Sequence, residues 1–125
     1  MKISPRNVFR LDGFGAMVSL LFHLIIAFNQ PTFGMPKQVV FYLSIFPTLL
    51  MPFSLYHSLH LPQNWKPSLR TIIIGNLLFC FVSIGVIAYY IDSLTILGLV
   101  YFIGEVIVVL GLVALVELRV LQKET

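Results

Sequence analysis

Residues Leu94 to Leu118 read LTILGLVYFIGEVIVVLGLVALVEL, a run in which Glu105 is the one carboxyl before Glu117 arrives at the far end. About 20 consecutive apolar residues are enough to cross a hydrocarbon core roughly 30 Å thick. This run meets that length with room for some tilt. Holding a carboxyl near the middle of such a helix costs on the order of 2.5–3.5 kcal/mol on insertion scales. The sequence therefore predicts that Glu105 faces protein and finds a polar partner there.

The rest of the chain has the same character. Of its 125 residues, 58% are apolar and only 10% are charged, against roughly 25% charged in soluble domains. A soluble fold could not cover that much apolar surface, so residues 1–125 are read as a single integral membrane domain. Cys80 is the one cysteine, which excludes an intrachain disulfide. It lies inside an apolar run, where a free cysteine packs as a small hydrophobe. The net charge is +3, but the basic residues gather at the ends of apolar runs and form no continuous basic face, so nucleic-acid binding is not implied.

Three further spans precede the last one. Lys2, Arg6 and Arg10 stand ahead of an apolar run ending near Asn29. That run is longer than a typical signal-peptide core of about 7–15 residues, and no small-residue cleavage site follows it. It is read as a retained helix over 11–29. Pro31, Gly34 and Pro36 mark a turn, and a second span over 38–57 carries Pro47 and Pro52, where kinks are expected. A loop with Pro62, Trp65 and Pro67 suits headgroup depth. A third span follows over 69–91, and the fourth covers 94–118. Asp92 and Ser93 are read as the cap that opens the last span. The expected fold is an all-α, antiparallel four-helix transmembrane bundle. Lys2, Arg6, Arg10, Lys66, Arg70, Arg119 and Lys123 fall on one side and Lys37 alone on the other, which puts both termini in the cytoplasm.

At about 1.5 Å rise per residue, His23 and Glu105 come to similar depth near mid-bilayer. Gly15, Ser19, His23 and Ala27 recur every four residues as a small and polar stripe, the kind that lets membrane helices approach closely. Gly98, Tyr101, Glu105, Val108 and Leu112 align on one face of the fourth span, and Asn76, Cys80, Ser83 and Ile87 do so on the third. The expectation is a buried polar seam of Glu105, His23, Tyr101, Asn76 and Ser19, with Glu105 bonded to His23, Tyr101 or Asn76. Asp12 is expected to cap the first turn of span one. Glu117 and Arg119 sit where a network with Arg10, Asp12 or Arg70 can form.

Catalytic signatures are missing: no G-x-S-x-G, P-loop, H-E-x-x-H or C-x-x-C occurs, and those patterns are what acyl transfer, phosphate cradling and zinc hydrolysis use. His57 and His60 are three apart and can share a helix face, but zinc takes four ligands and no cysteine or acid stands near them. They are weak metal candidates, read as interfacial histidines. A haem fails on count, because His23 has no second mid-membrane histidine, and no cofactor is expected.

Leu11-Asp12-Gly13-Phe14-Gly15-Ala16, Gly104-Glu105 and Glu117-Leu118-Arg119 resemble segments of small four-span proteins of bacterial membranes. The resemblance covers the span pattern, implies a multi-pass protein of the bacterial cytoplasmic membrane and implies no activity. The compact multidrug-transporter family has similar size and span count but places its working carboxylate in the first span, where this chain offers only Asp12 at the end. Two readings of different class remain. One is a non-catalytic accessory protein whose seam fixes the bundle, partnered by the bilayer and by another membrane protein or a second copy. The other is a small proton- or cation-linked transporter using Glu105 and His23. The first expects a dry interior around Glu105, the second a cavity that reaches it.

Overall fold

In a computed structural model the described residues, 4–123, are almost entirely helical. The elements are α1 (Pro5–Ala27), a single turn α2 (Gln30–Phe33), α3 (Lys37–Leu59), α4 (Lys66–Tyr89), α5 (Ile96–Leu112), a π-helical turn (Val113–Glu117) and α6 (Leu118–Lys123). No strand occurs among the described residues. Four helices are long and apolar enough to cross a membrane: Pro5–Ala27, Lys37–Leu59, Lys66–Tyr89 and the continuous run Ile96–Gln122. Lys2, Glu124 and Thr125 lie outside the described residues.

Local chemistry sets the helix ends. Ser4 caps α1 by accepting from the Asn7 N–H at 3.2 Å, with Pro5 in the first turn where its missing donor costs nothing. Asp12 is therefore two turns inside the helix, not at its cap. Thr95 caps α5, accepting from Gly98 N at 3.1 Å. Ser93, expected in that role, instead donates to Tyr90 O. Helix α3 continues through Pro47 and Pro52.

Helix α1 lies along α3, which packs on α4, which pairs with α5. The close approach of α1 to α3 is at Gly13, where a Cβ would meet Leu55 Cδ2 at 2.6 Å. Gly15, on the stripe expected to bring helices together, has nothing within 4 Å of its Cβ position. The α1–α3 connection docks on the start of α5: Thr95 N–H and Oγ1 donate to Phe33 O at 3.2 Å and Thr32 O at 2.6 Å. Gly34 makes that turn at φ 80°, the left-handed region open to glycine. Gly98 lets the Phe33 carbonyl sit directly on the α5 backbone.

Two apolar clusters hold the bundle. One contains Ile26, Met35, Leu43, Phe79, Phe102 and Val106. The other contains Val8, Phe9, Leu69, Ile72, Val113 and Val120. The outward faces stay apolar, with Phe81 78% and Ile96 84% exposed, a surface that water would not tolerate and acyl chains would.

Candidate functional site

The α2–α5 clamp places Glu105, two turns along α5 from Gly98, against His23, one turn before the end of α1. His23 is buried, and its Nε2 lies 3.1 and 3.0 Å from Glu105 Oε1 and Oε2. Tyr101 donates its hydroxyl to Oε2 at 2.9 Å from the preceding turn of α5. On the other side of the ring, His23 Nδ1 meets Ser44 Oγ of α3 at 2.9 Å, and Ser44 Oγ donates to Val40 O at 2.8 Å.

Those contacts settle the proton arrangement. Ser44 has one hydroxyl hydrogen, and a carbonyl can only accept it, so Ser44 Oγ must accept from His23 Nδ1–H. Nε2 then either carries a proton toward the carboxylate or accepts one from the carboxylic acid. In both forms a single proton lies between imidazole and carboxyl. The site is neutral overall, which is how an acid is accommodated in apolar surroundings.

Asn76 does not join Glu105. Its Nδ2 donates to Asp12 Oδ1 at 2.8 Å and to Glu117 Oε1 at 3.0 Å, while Ser54 Oγ donates to Asp12 Oδ2 at 2.7 Å. All four residues are buried. Asp12 is thus a member of a second polar cluster formed by α1, α3, α4 and the π-helical turn. The π turn sets the facing of Glu117: it adds a residue to the turn and brings this side chain to full burial instead of to an exposed helix end. Arg10, Arg70 and Arg119 are exposed, and none is ion-paired with Asp12 or Glu117.

A groove of about 600 Å³ connects the two clusters. It lies between α1 and α5 over α3 and α4, with Glu105 and Tyr101 toward one end and Asp12 and Asn76 toward the other. Phe14, Val18, Val100 and Val108 border it and are exposed, so it opens sideways toward lipid. Gly15 and Gly104 line it with open space before them. Ser19 lines the groove one turn from His23 without joining the network.

The Glu105 pair is off-centre along the helices. Because α1 begins at Pro5, His23 is about 10 Å from the middle of α1 along its axis, and Glu105 about 6 Å from the middle of its own span. The shift arises because helix α1 extends past the apolar run at its Arg-bearing end.

The remaining candidates lie apart. His57 stacks on Phe9 and Phe53 and bonds Phe53 O through Nδ1 at 2.8 Å, while His60 is exposed beside Tyr56. Among the described residues no group of three or more His, Cys, Asp or Glu is arranged to hold a metal. Cys80 is buried with Sγ 3.9 Å from Val106 O. The sequence allows a network of Glu117 with Asp12 at the helix ends but gives no sign of their burial or of Asn76 between them; the signal for the depth of Asp12 in α1 is Ser4-Pro5, a cap followed by proline that starts the helix earlier.

No protein-family model matches this chain, and no curated protein or solved structure matches it. The fold and site define a helical membrane protein of four apolar helices with two buried acid clusters on one lateral groove.

Proposed function

We propose that the chain is a small multi-pass transporter of the bacterial cytoplasmic membrane, linked to protons or monovalent cations, with both termini inside and its four spans antiparallel. The exchanging group is the His23–Glu105 pair. The observation that supports this reading is the groove, which carries Glu105 and Tyr101 on its wall where a purely structural seam would be packed shut. The pair holds one mobile proton, and Tyr101 donates to the carboxyl in either protonation state. A cation that binds the carboxylate takes the place of that proton, which leaves the site for water, so occupancy is coupled to protonation.

The test is flux in proteoliposomes with an entrapped pH dye. Addition of Na⁺ or K⁺ against an imposed pH gradient is expected to dissipate it with the wild type, and at least about tenfold more slowly with E105Q. Equal rates for the two would refute the proposal.

One observation favours the accessory reading instead. Every ring nitrogen of His23 and both oxygens of Glu105 are partnered, the completeness that a clamp between helices requires. That reading expects a specific membrane protein, or a second copy of this chain, to copurify in mild detergent.

A further inference from the structure

The cluster at the other end of the groove has a polar atom without a partner. Glu117 Oε2 is buried and accepts no hydrogen bond, and the residue is 0% exposed. The donors around it are already committed: Asn76 uses its Nδ2 hydrogens on Asp12 Oδ1 and Glu117 Oε1, and Ser54 uses its hydroxyl on Asp12 Oδ2. Asp12 Oδ1 and Glu117 Oε1 sit on the same Asn76 amide nitrogen at 2.8 and 3.0 Å, which makes the two carboxyls neighbours, but two carboxylates have nothing to donate to each other. Two negative charges at that separation in apolar surroundings repel strongly.

We infer that Asp12 and Glu117 form a second proton-binding site, in which the two buried carboxyls share a single proton at the opposite end of the groove from Glu105. One added hydrogen completes the cluster: carried on Glu117, it donates to the Asp12 carboxylate, and the orphaned oxygen gains its partner. A dyad of carboxyls in contact holds one proton for the same reason wherever it is found.

The groups facing the dyad do not supply the missing charge. On α1, Arg6 and Arg10 are exposed, as are Arg70 on α4 and Arg119 on α6. On α3, His57 is turned into Phe9 and Phe53 with Nδ1 on Phe53 O. Lys66 begins α4 ten residues before Asn76, about 15 Å away along the axis. No ion pair to Asp12 or Glu117 occurs among the described residues. The proton is therefore the species that balances the site.

Asp12 and His23 are eleven residues apart on α1, so the two proton sites are separated by about 16 Å along one groove. The inference does not depend on transport, since a shared proton is a property of the cluster alone.

Infrared spectroscopy of the full chain in lipid at neutral pH tests it. The expected spectrum has a protonated-carboxyl C=O stretch that shifts in D₂O and survives in E105Q. Read in the E105Q background, E117Q replaces the acid proton by an amide N–H and the band should vanish, while D12N should remove or move it, because the proton loses its acceptor. A wild-type spectrum without the band overturns the inference, as does a band that stays unchanged in either E117Q or D12N. If E117Q or D12N loses helicity, E105Q, which removes the other buried acid, carries the test: a spectrum of E105Q without the band overturns the inference.

Discussion

Replacing Glu105 by leucine measures what the acid contributes to the bundle. Its two partners are not equivalent. Tyr101 is four residues away on the same helix, so that bond is available in an isolated inserted helix and adds little to association. The His23 contact joins α1 to α5 and exists only in the assembled bundle. An interhelical hydrogen bond in a membrane contributes about 0.6 kcal/mol on average and up to about 1.7. Removing one partner leaves a buried His23 nitrogen unsatisfied, which raises the cost from that net value to about 1–3 kcal/mol. Glu105→Leu should then destabilise by about 1–3 kcal/mol, read as a lowered SDS midpoint in mixed micelles, followed by helical ellipticity and Trp65 emission. Glu105→Gln keeps an acceptor for Tyr101 and a donor for a neutral imidazole, and should stay within about 1 kcal/mol of wild type. An E105L protein as stable as the wild type would refute the interhelical role of this acid.

Other substitutions separate neighbouring features of the fold. Tyr101→Phe should leave the SDS midpoint nearly unchanged, because its bond is local to α5. Asn76→Leu removes the donor shared by Asp12 and Glu117 and should cost about 1–3 kcal/mol for each orphaned oxygen, measured by the same titration. Gly98→Ala puts a methyl into the Phe33 carbonyl and should cost at least about 1–3 kcal/mol, whereas Gly104→Ala faces open space and should be neutral or stabilising by up to about 1 kcal/mol. Gly15→Leu with Gly104→Leu should fill the groove and suppress flux while leaving helicity intact; undiminished flux would show that the groove is not the route.

Composition and hydropathy alone carried the class of protein and the number of long apolar helices, because burying a backbone in lipid demands regular hydrogen bonding over a fixed length. The pairing of Glu105 with His23 was also within reach of the sequence, since axial position follows from a constant rise per residue and an acid in lipid must find a donor. Facing did not follow from sequence. Asn76, at a plausible depth and on a plausible stripe, turned to Asp12 and Glu117, because which helix lies across from which face depends on how α1 packs along α3 through Gly13. The π turn that brings Glu117 inward leaves no mark in Val-Ala-Leu-Val-Glu. The groove likewise belongs to tertiary structure: its walls come from α1, α3, α4 and α5, and which faces line it depends on how those helices are packed together. One-dimensional spacing orders the polar groups along each helix, while packing between helices decides which of them meet.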